Sequence, residues 1–304
     1  MADPDRAGLR NRAPRGQFQQ GMNSNPLWLV TNSASGSNSE AAVRDVIAAL
    51  SAAGCAPQRT IAFPQDDLPD RAALEHAGVA TVAVFTGDGT VNAVATAIEG
   101  WGGALLVLPG GTQNLMCKRL HADRSARAIV AAFAKGQFER TRPTVLRTSQ
   151  GTSLIEVLAG PGAMWADVRE GVRDLDLATI AEAFSTAWRE TTDGATIHLA
   201  DTAAGKPRGY RAILLAPHGE KVLAEGYDFE DAADFAAQGF AMLVKRNFRE
   251  GPHDDLGEFG SVTCRSDAPI ALMIDGERRQ GACEERFESA RFALDFIATR
   301  QSGD

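Results

Sequence analysis

Gly89-Thr90-Val91-Asn92 and Gly111-Thr112-Gln113-Asn114 share one pattern, Gly-Thr-x-Asn, and each reads as a stretch between an apolar strand and a helix. Glycine lets a backbone approach a phosphate closely, and the N–H groups of a helix N-terminus supply donors aimed at an anion. Thr and Asn side chains add hydrogen bonds or cap the helix. One such stretch is ordinary turn chemistry. Two in similar context, with a third small polar loop at Asn32-Ser33-Ala34-Ser35-Gly36, favour a nucleotide or another phosphate ligand. The chain contains neither GxxxxGK[ST] nor GxGxxG, which disfavours a Walker-type loop and a dinucleotide-binding dehydrogenase.

Two acidic positions stand out. Asp88, between Gly87 and Gly89, suits Mg²⁺ held directly or through water, a proton acceptor, or a turn held by its own side chain. Asp275-Gly276-Glu277 follows the apolar run Ile270 to Ile274. If strand geometry continues, Asp275 and Glu277 share a face and could position Mg²⁺ or deprotonate a hydroxyl. Asp-Gly after a strand is also a hairpin signal, and these residues alone read as a turn.

The elements that must position these residues follow an α/β grammar. Leu27 to Val30, Arg59 to Phe63, Thr81 to Phe85 and Ala104 to Leu108 read as strands. Helices are expected over Glu40 to Ser51, Asp70 to His76, about Asn92 to Ile98 and about Ser125 to Ala134. Val43, Val46, Ile47 and Leu50 form one stripe on the first of these. Strands apolar on both faces imply a parallel sheet covered on each side, with loops gathered at the carboxyl edge where ligands bind. The expected organisation is a polar, disordered tail over 1–25 and a doubly wound α/β domain over 26–142. A mostly antiparallel domain follows over 143–287, with 288–304 a candidate to return to the first domain through Phe292 to Ile297. Within the second domain, strands are expected at Thr144 to Arg147, Ser153 to Leu158, Thr196 to Leu199, Tyr210 to Leu215, Phe240 to Val244, Gly260 to Arg265 and Ile270 to Ile274. One helix is expected near Asp176 to Arg189.

Composition narrows the partners. The 304 residues carry 31 basic and 39 acidic side chains, a net charge of −8, which lacks the footprint of a nucleic-acid binder and disfavours a polybasic membrane anchor. Cys55, Cys117, Cys264 and Cys283 form no CxxC pair, so free thiols in a reducing cytoplasm are the economical reading. No apolar run reaches the roughly 18 residues needed to span a bilayer. The expectation is a soluble, cytoplasmic protein whose membrane contact is peripheral, at the inner face.

The ordered set of motifs resembles the diacylglycerol kinase catalytic-domain family, the lipid kinases that include bacterial diacylglycerol kinases and the sphingosine and ceramide kinases. Thr31 to Gly36 resembles its first motif, Gly87 to Thr90 with Asn92 its central Gly-Asp-Gly-Thr, Pro109 to Asn114 its Pro-x-Gly-Thr-x-Asn, and Asp275 to Glu277 its late Asp-Gly-Glu. The resemblance implies an N-terminal α/β nucleotide domain, a C-terminal β-sandwich and an active site in the cleft between them. It implies ATP, Mg²⁺, a lipid hydroxyl as acceptor and a homodimer. Asn32, Ser33, Ala34, Ser35, Gly36, Thr60, Thr86, Gly87, Asp88, Gly89, Thr90, Val91, Asn92, Gly111 and Thr112 would hold the nucleotide, with Thr60 at the end of the second strand. Asp275 or Glu277 would be the base. Asp88 would order Mg²⁺ and phosphates or act as base itself. The chain departs from the family pattern at Ser33, Thr86, Ala93 and Leu115. Two alternatives stay open: a soluble-metabolite kinase akin to NAD kinases, and a nucleotide-binding regulator of weak activity. Met164-Trp165 and the Phe184/Trp188 pair could line a lipid route, although core packing is the plainer reading.

Overall fold

The computed structural model describes residues 26–32, 38–161, 195–228 and 253–299. The expected helix near Asp176 to Arg189, the strand at Phe240 to Val244, and Met164, Trp165, Phe184 and Trp188 lie outside them, as do Ser33, Ala34, Ser35 and Gly36.

The first sheet forms from runs that are buried along nearly their whole length. β1 (Leu27–Asn32), β3 (Thr81–Thr86) and β4 (Ala104–Pro109) alternate with α1 (Glu40–Ala52), β2 (Arg59–Phe63), α2 (Arg71–His76) and α3 (Asp88–Ala97). α4 (Leu115–His121), α5 (Ala126–Ala134) and β5 (Phe138–Thr141) follow. Ser39, Asp70 and Ser125 cap α1, α2 and α5 by accepting from Ala42, Ala73 and Ala128 N–H. The order is β2-β1-β3-β4-β17-β5, where β17 is Asp295–Thr299. β2, β1, β3, β4 and β17 run parallel, and β5 antiparallel to β17. Thr31 faces Phe85 and Thr86 faces Pro109, so Asn32, Thr86 and Pro109 end their strands along one edge.

β6 (Thr144–Thr148) through β16 (Glu284–Arg291) build two antiparallel sheets. Their members are β7 (Gly151–Ser153), β8 (Val157–Ala159), β9 (Ile197–Leu199), β10 (Ala212–His218), β11 (Lys221–Tyr227), β12 (Asp254–Phe259), β13 (Ser261–Ser266), β14 (Ala271–Ile274) and β15 (Glu277–Gln280). The orders are β12-β11-β10-β8-β14-β15 and β7-β6-β16-β13-β9. Both sheets give side chains to one apolar cluster that includes Leu146, Ile213, Leu215, Val222, Val262 and Phe287. A separate cluster underlies the first sheet.

Several expectations are corrected. α3 starts at Asp88, not Asn92, so Gly89 to Asn92 lie inside its first turns rather than before it. Ser153 to Leu158 is two strands in different sheets, because residues 154–156 turn their N–H groups to a carboxylate described below. The boundary at 287/288 falls within β16; the chain re-enters the first sheet only after Arg291. α4, β5, β11, β12, β15 and β16 were not expected. β12, β15 and β16 are largely polar strands made by pairing with neighbours rather than by an apolar run of their own. Among the described residues no helix is long and apolar enough to cross a membrane.

His121 closes α4 and is buried, with Nδ1 accepting the Thr299 N–H at 3.2 Å. Burial lowers its pKa from 6.5 to about 4. Between those values the unfolded chain takes up a proton that the folded chain refuses, so stability falls as pH drops through about 6.5 to 4. The full effect is at most about 3 kcal/mol. Urea midpoints of the wild type should fall more steeply across that window than those of His121→Gln; parallel slopes would exclude His121 as the cause.

Candidate functional site

The carboxyl edge of the first sheet is assembled backbone against backbone. A Cβ on Gly110 would lie 2.6 Å from Thr86 N, and one on Gly111 would lie 2.5 Å from the Cα of Gly87. Glycine is required here by close approach: the 109–114 loop rests directly on the 86–88 turn. Asn114 locks that loop. At φ 53° its side-chain Oδ1 accepts from Gly111 N at 2.7 Å and its Nδ2 donates to Gly111 O at 2.9 Å. The buried Asn38 ties the neighbouring strands, its Nδ2 donating to Asn32 O at 3.1 Å and Phe85 O at 2.6 Å. Asn32 in turn donates to Thr90 Oγ1 at 2.9 Å.

The two Gly-Thr-x-Asn copies therefore do different work. Asn114 braces its own loop, whereas Asn92, on α3, reaches across to the second core. Its Nδ2 donates to Thr152 O at 2.7 Å and to Asp275 Oδ2 at 2.6 Å. Gly87, the N-cap of α3, offers that helix no side chain, so its first N–H groups have no capping partner from that position.

Asp88 is committed. Because the Asn114 amide is spent on Gly111, it gives α4 no cap. The Asp88 carboxylate supplies one from a distance, Oδ2 accepting from Leu115 N at 3.1 Å and Oδ1 from Met116 N at 3.0 Å. It sits at once in the first turn of α3 and over the start of α4, a favourable place for negative charge beside two helix N-termini.

Asp275 and Gly276 form a two-residue hairpin turn between β14 and β15, Ile274 pairing with Glu277. Both turn residues have positive φ, 47° and 89°, the type I′ signature. The strand does not continue through them, so Asp275 and Glu277 do not share a face as strand neighbours would. Asp275 is only 9% exposed and accepts from five donors. These are the Asn92 amide, Ser153 Oγ at 2.6 Å, and the N–H groups of Leu154, Ile155 and Glu156 at 2.6, 3.0 and 3.2 Å. Burial pushes its carboxyl above the usual carboxylate range, while the Ser153 hydroxyl and the three N–H groups pull the other way. Glu277 is exposed and leans on α3, with Oε1 2.6 Å from the place a Cβ would take on Gly89. Of the three acidic candidates its carboxylate alone makes no hydrogen bond within the described residues.

Further ties join α3 and α4 to the antiparallel sheets. Arg119, on α4, donates from Nη1 to Thr144 O at 3.2 Å and Leu154 O at 3.0 Å. Arg147 pairs with Glu99 and donates to Thr152 Oγ1 at 2.5 Å. Asn38, Arg119, Arg147 and Ser153 were missed in the sequence, since only the fold brings them to this place.

The remaining nucleotide candidates divide. Thr86 is buried, its hydroxyl on Gly87 O. Thr112 is exposed on the loop edge. Val91 points into the first core, 1% exposed, and offers no ligand surface. Thr60 pairs with Leu29, three residues before the carboxyl end of β2, which places it about 10 Å of strand from the edge. The place of Thr60 is a correction, since it is the second residue of β2 rather than near its end; Val91 is an apolar helix residue in a buried register.

The edge fits phosphate, with glycine backbone and a helix start that no side chain caps. It does not fit a cation cage built by the protein. Among the described residues no three His, Cys, Asp or Glu side chains converge, and Asp88 and Asp275 have their oxygens turned to N–H, amide and hydroxyl donors.

Residues 26–144 match the family model of the diacylglycerol kinase catalytic domain. No curated protein sequence matches the chain. Three solved structures from Bacillus anthracis str. Sterne resemble it, two named as a "putative diacylglycerol kinase" and one as a diacylglycerol kinase. They are 15%, 14% and 16% identical, with TM-scores of 0.57, 0.58 and 0.57, and each comparison covers 90% of this chain and 97% of the other. At that identity the likeness is one of fold.

Proposed function

We propose that the chain is an ATP-dependent lipid kinase that transfers the γ-phosphate to the hydroxyl of a diacylglycerol-, ceramide- or sphingoid-type lipid. The observation that carries the reading is the meeting of two motif sets. The glycine edge of the first sheet faces Glu277, brought there by the Asp275-Gly276 turn, and the stretch holding the glycine edge matches the kinase family model. In this reading 26–142 with β17 form the nucleotide domain and 143–291 the acceptor domain. Their cleft is the active site, and the acceptor is reached peripherally at a membrane.

ATP, when bound, supplies the transferable phosphoryl group. Its phosphates would meet the start of α3, which no side chain caps, beside the packed Gly87 and Gly111 backbone, with Thr90, Thr112 and Asn32 flanking them. Phosphoryl transfer asks mainly for positioning. That suits a site whose loops are fixed by Asn38, Asn114 and Asp88. Glu277 is the base: it needs only to accept the acceptor hydroxyl's proton within hydrogen-bond reach. Asp88 and Asp275 hold the frame. Among the described residues no three His, Cys, Asp or Glu side chains form a Mg²⁺ cage.

The deciding experiment offers labelled ATP and Mg²⁺ with a panel of these lipids and NAD, counting label in organic and aqueous phases while ATP binding is measured by calorimetry. Label in a lipid is the expected result. Label only in NAD would replace the lipid by a soluble acceptor, and ATP bound without transfer would leave a nucleotide-binding regulator.

Gly89→Ala gives a sharper check on Glu277. The new methyl would collide with the far end of the Glu277 side chain, which can swing away at little cost, and Ala suits a helix interior by up to about 1 kcal/mol over Gly. Stability should hold or rise while turnover falls at least about tenfold. Unchanged turnover would remove Glu277 from the reacting atoms.

A further inference from the structure

We propose that Arg119 is the positioning residue that registers the Asp275–Glu277 turn against the phosphate edge, with α4 as the strut between them. The inference rests on the kinase reading and adds to it a residue that none of the motifs contains.

α4 is gripped at both ends of one face. Leu115 and Arg119 are four residues apart and so lie on the same side of the helix. At Leu115 and Met116 the helix is held by the Asp88 carboxylate, beside Gly87 and Gly89. One turn later, Arg119 Nη1 donates to Thr144 O, where the chain has just left the first sheet, and to Leu154 O. Leu154 is also a residue whose N–H donates to Asp275. The opposite face, with Met116, Cys117 and Leu120, is buried in the first core and cannot slide. Asp88, α4, Arg119, Leu154 and Asp275 thus form one hydrogen-bonded chain from the phosphate edge to the turn that presents Glu277. Arg119 donates to main-chain carbonyls, so it acts through Leu154 and Asp275.

Arg119→Met keeps the aliphatic stem and removes the donors. Turnover should fall at least tenfold while the KM for ATP stays within twofold, since the glycine edge is untouched. Amide exchange at 154–156 should quicken at least tenfold with 115–116 unchanged. Arg119→Lys should recover part of each loss. Leu74→Ala, a core truncation in α2 remote from these ties, is the control for simple destabilisation. If Arg119→Met behaves kinetically like Leu74→Ala, or raises the KM for ATP as steeply as it lowers kcat, the proposal is overturned. If the wild type transfers no phosphate, the kinase reading fails by itself. The exchange rates then decide the coupling: faster exchange at 154–156 supports it and unchanged exchange overturns it.

Discussion

Glu277→Gln is expected to lower kcat by about 10²–10⁴, the range of a positioned general base, with ATP affinity within about twofold of wild type. The substitution keeps size and removes only the capacity to hold a proton. Position favours Glu277 over its rivals. Asp275 is buried and already accepts from five donors, and Asp88 has one backbone N–H on each oxygen, so Glu277 is the least committed of the three. Glu277 is exposed and lies against Gly89. Initial rates with the accepted lipid, paired with calorimetric ATP binding, measure both quantities. A variant within threefold of wild-type kcat would return the base to Asp275 or Asp88.

Asp275→Ala should cost about 3–5 kcal/mol of stability, because it strands donors that converge from α3, from Ser153 and from residues 154–156. Two effects are mixed in that value, since Ala is also strained at a φ of 47°. Asp275→Gly separates them: it keeps the turn conformation and loses the carboxylate. Guanidinium unfolding of both should show most of the loss in the Gly variant too. Asp275→Asn, which tolerates the turn and keeps one acceptor, should lose roughly half as much. A Gly variant as stable as wild type would mean that the turn matters through its backbone alone. Each Asp275 variant should also lose turnover, because Glu277 is the next strand residue after the turn.

The local signals were legible where a short run of residues determined its own conformation. Leu27 to Val30, Thr81 to Phe85 and Ala104 to Leu108 announced buried parallel strands because they are apolar on both faces. Ser39, Asp70 and Ser125 are side chains that cap helices by themselves. Asp275-Gly276 reads as a turn because both residues tolerate positive φ, and that signal prevailed over the idea of a continuing strand. The repeated Gly-Thr-x-Asn sits at the carboxyl edge of the sheet, as its place after an apolar strand predicts. Yet similar tetrapeptides took up different positions, one within α3 and one ahead of α4, because the Asn114 amide closes on Gly111 while Asn92 finds its partners in Thr152 and Asp275.

What the sequence determined by itself was thus the α/β grammar, the glycine edge and the acidic turn, all consequences of local sterics and apolar patterning. Only the tertiary structure decided which carboxylate is open. Asp88, Asp275 and Glu277 are the same functional group in sequence, and their difference lies in donors supplied from residues 27 and 28 positions away for Asp88 and 119 to 183 for Asp275. A carboxylate's availability depends on which N–H and hydroxyl groups reach it, and that is set by the packing of α3, α4 and the β14–β15 turn against one another.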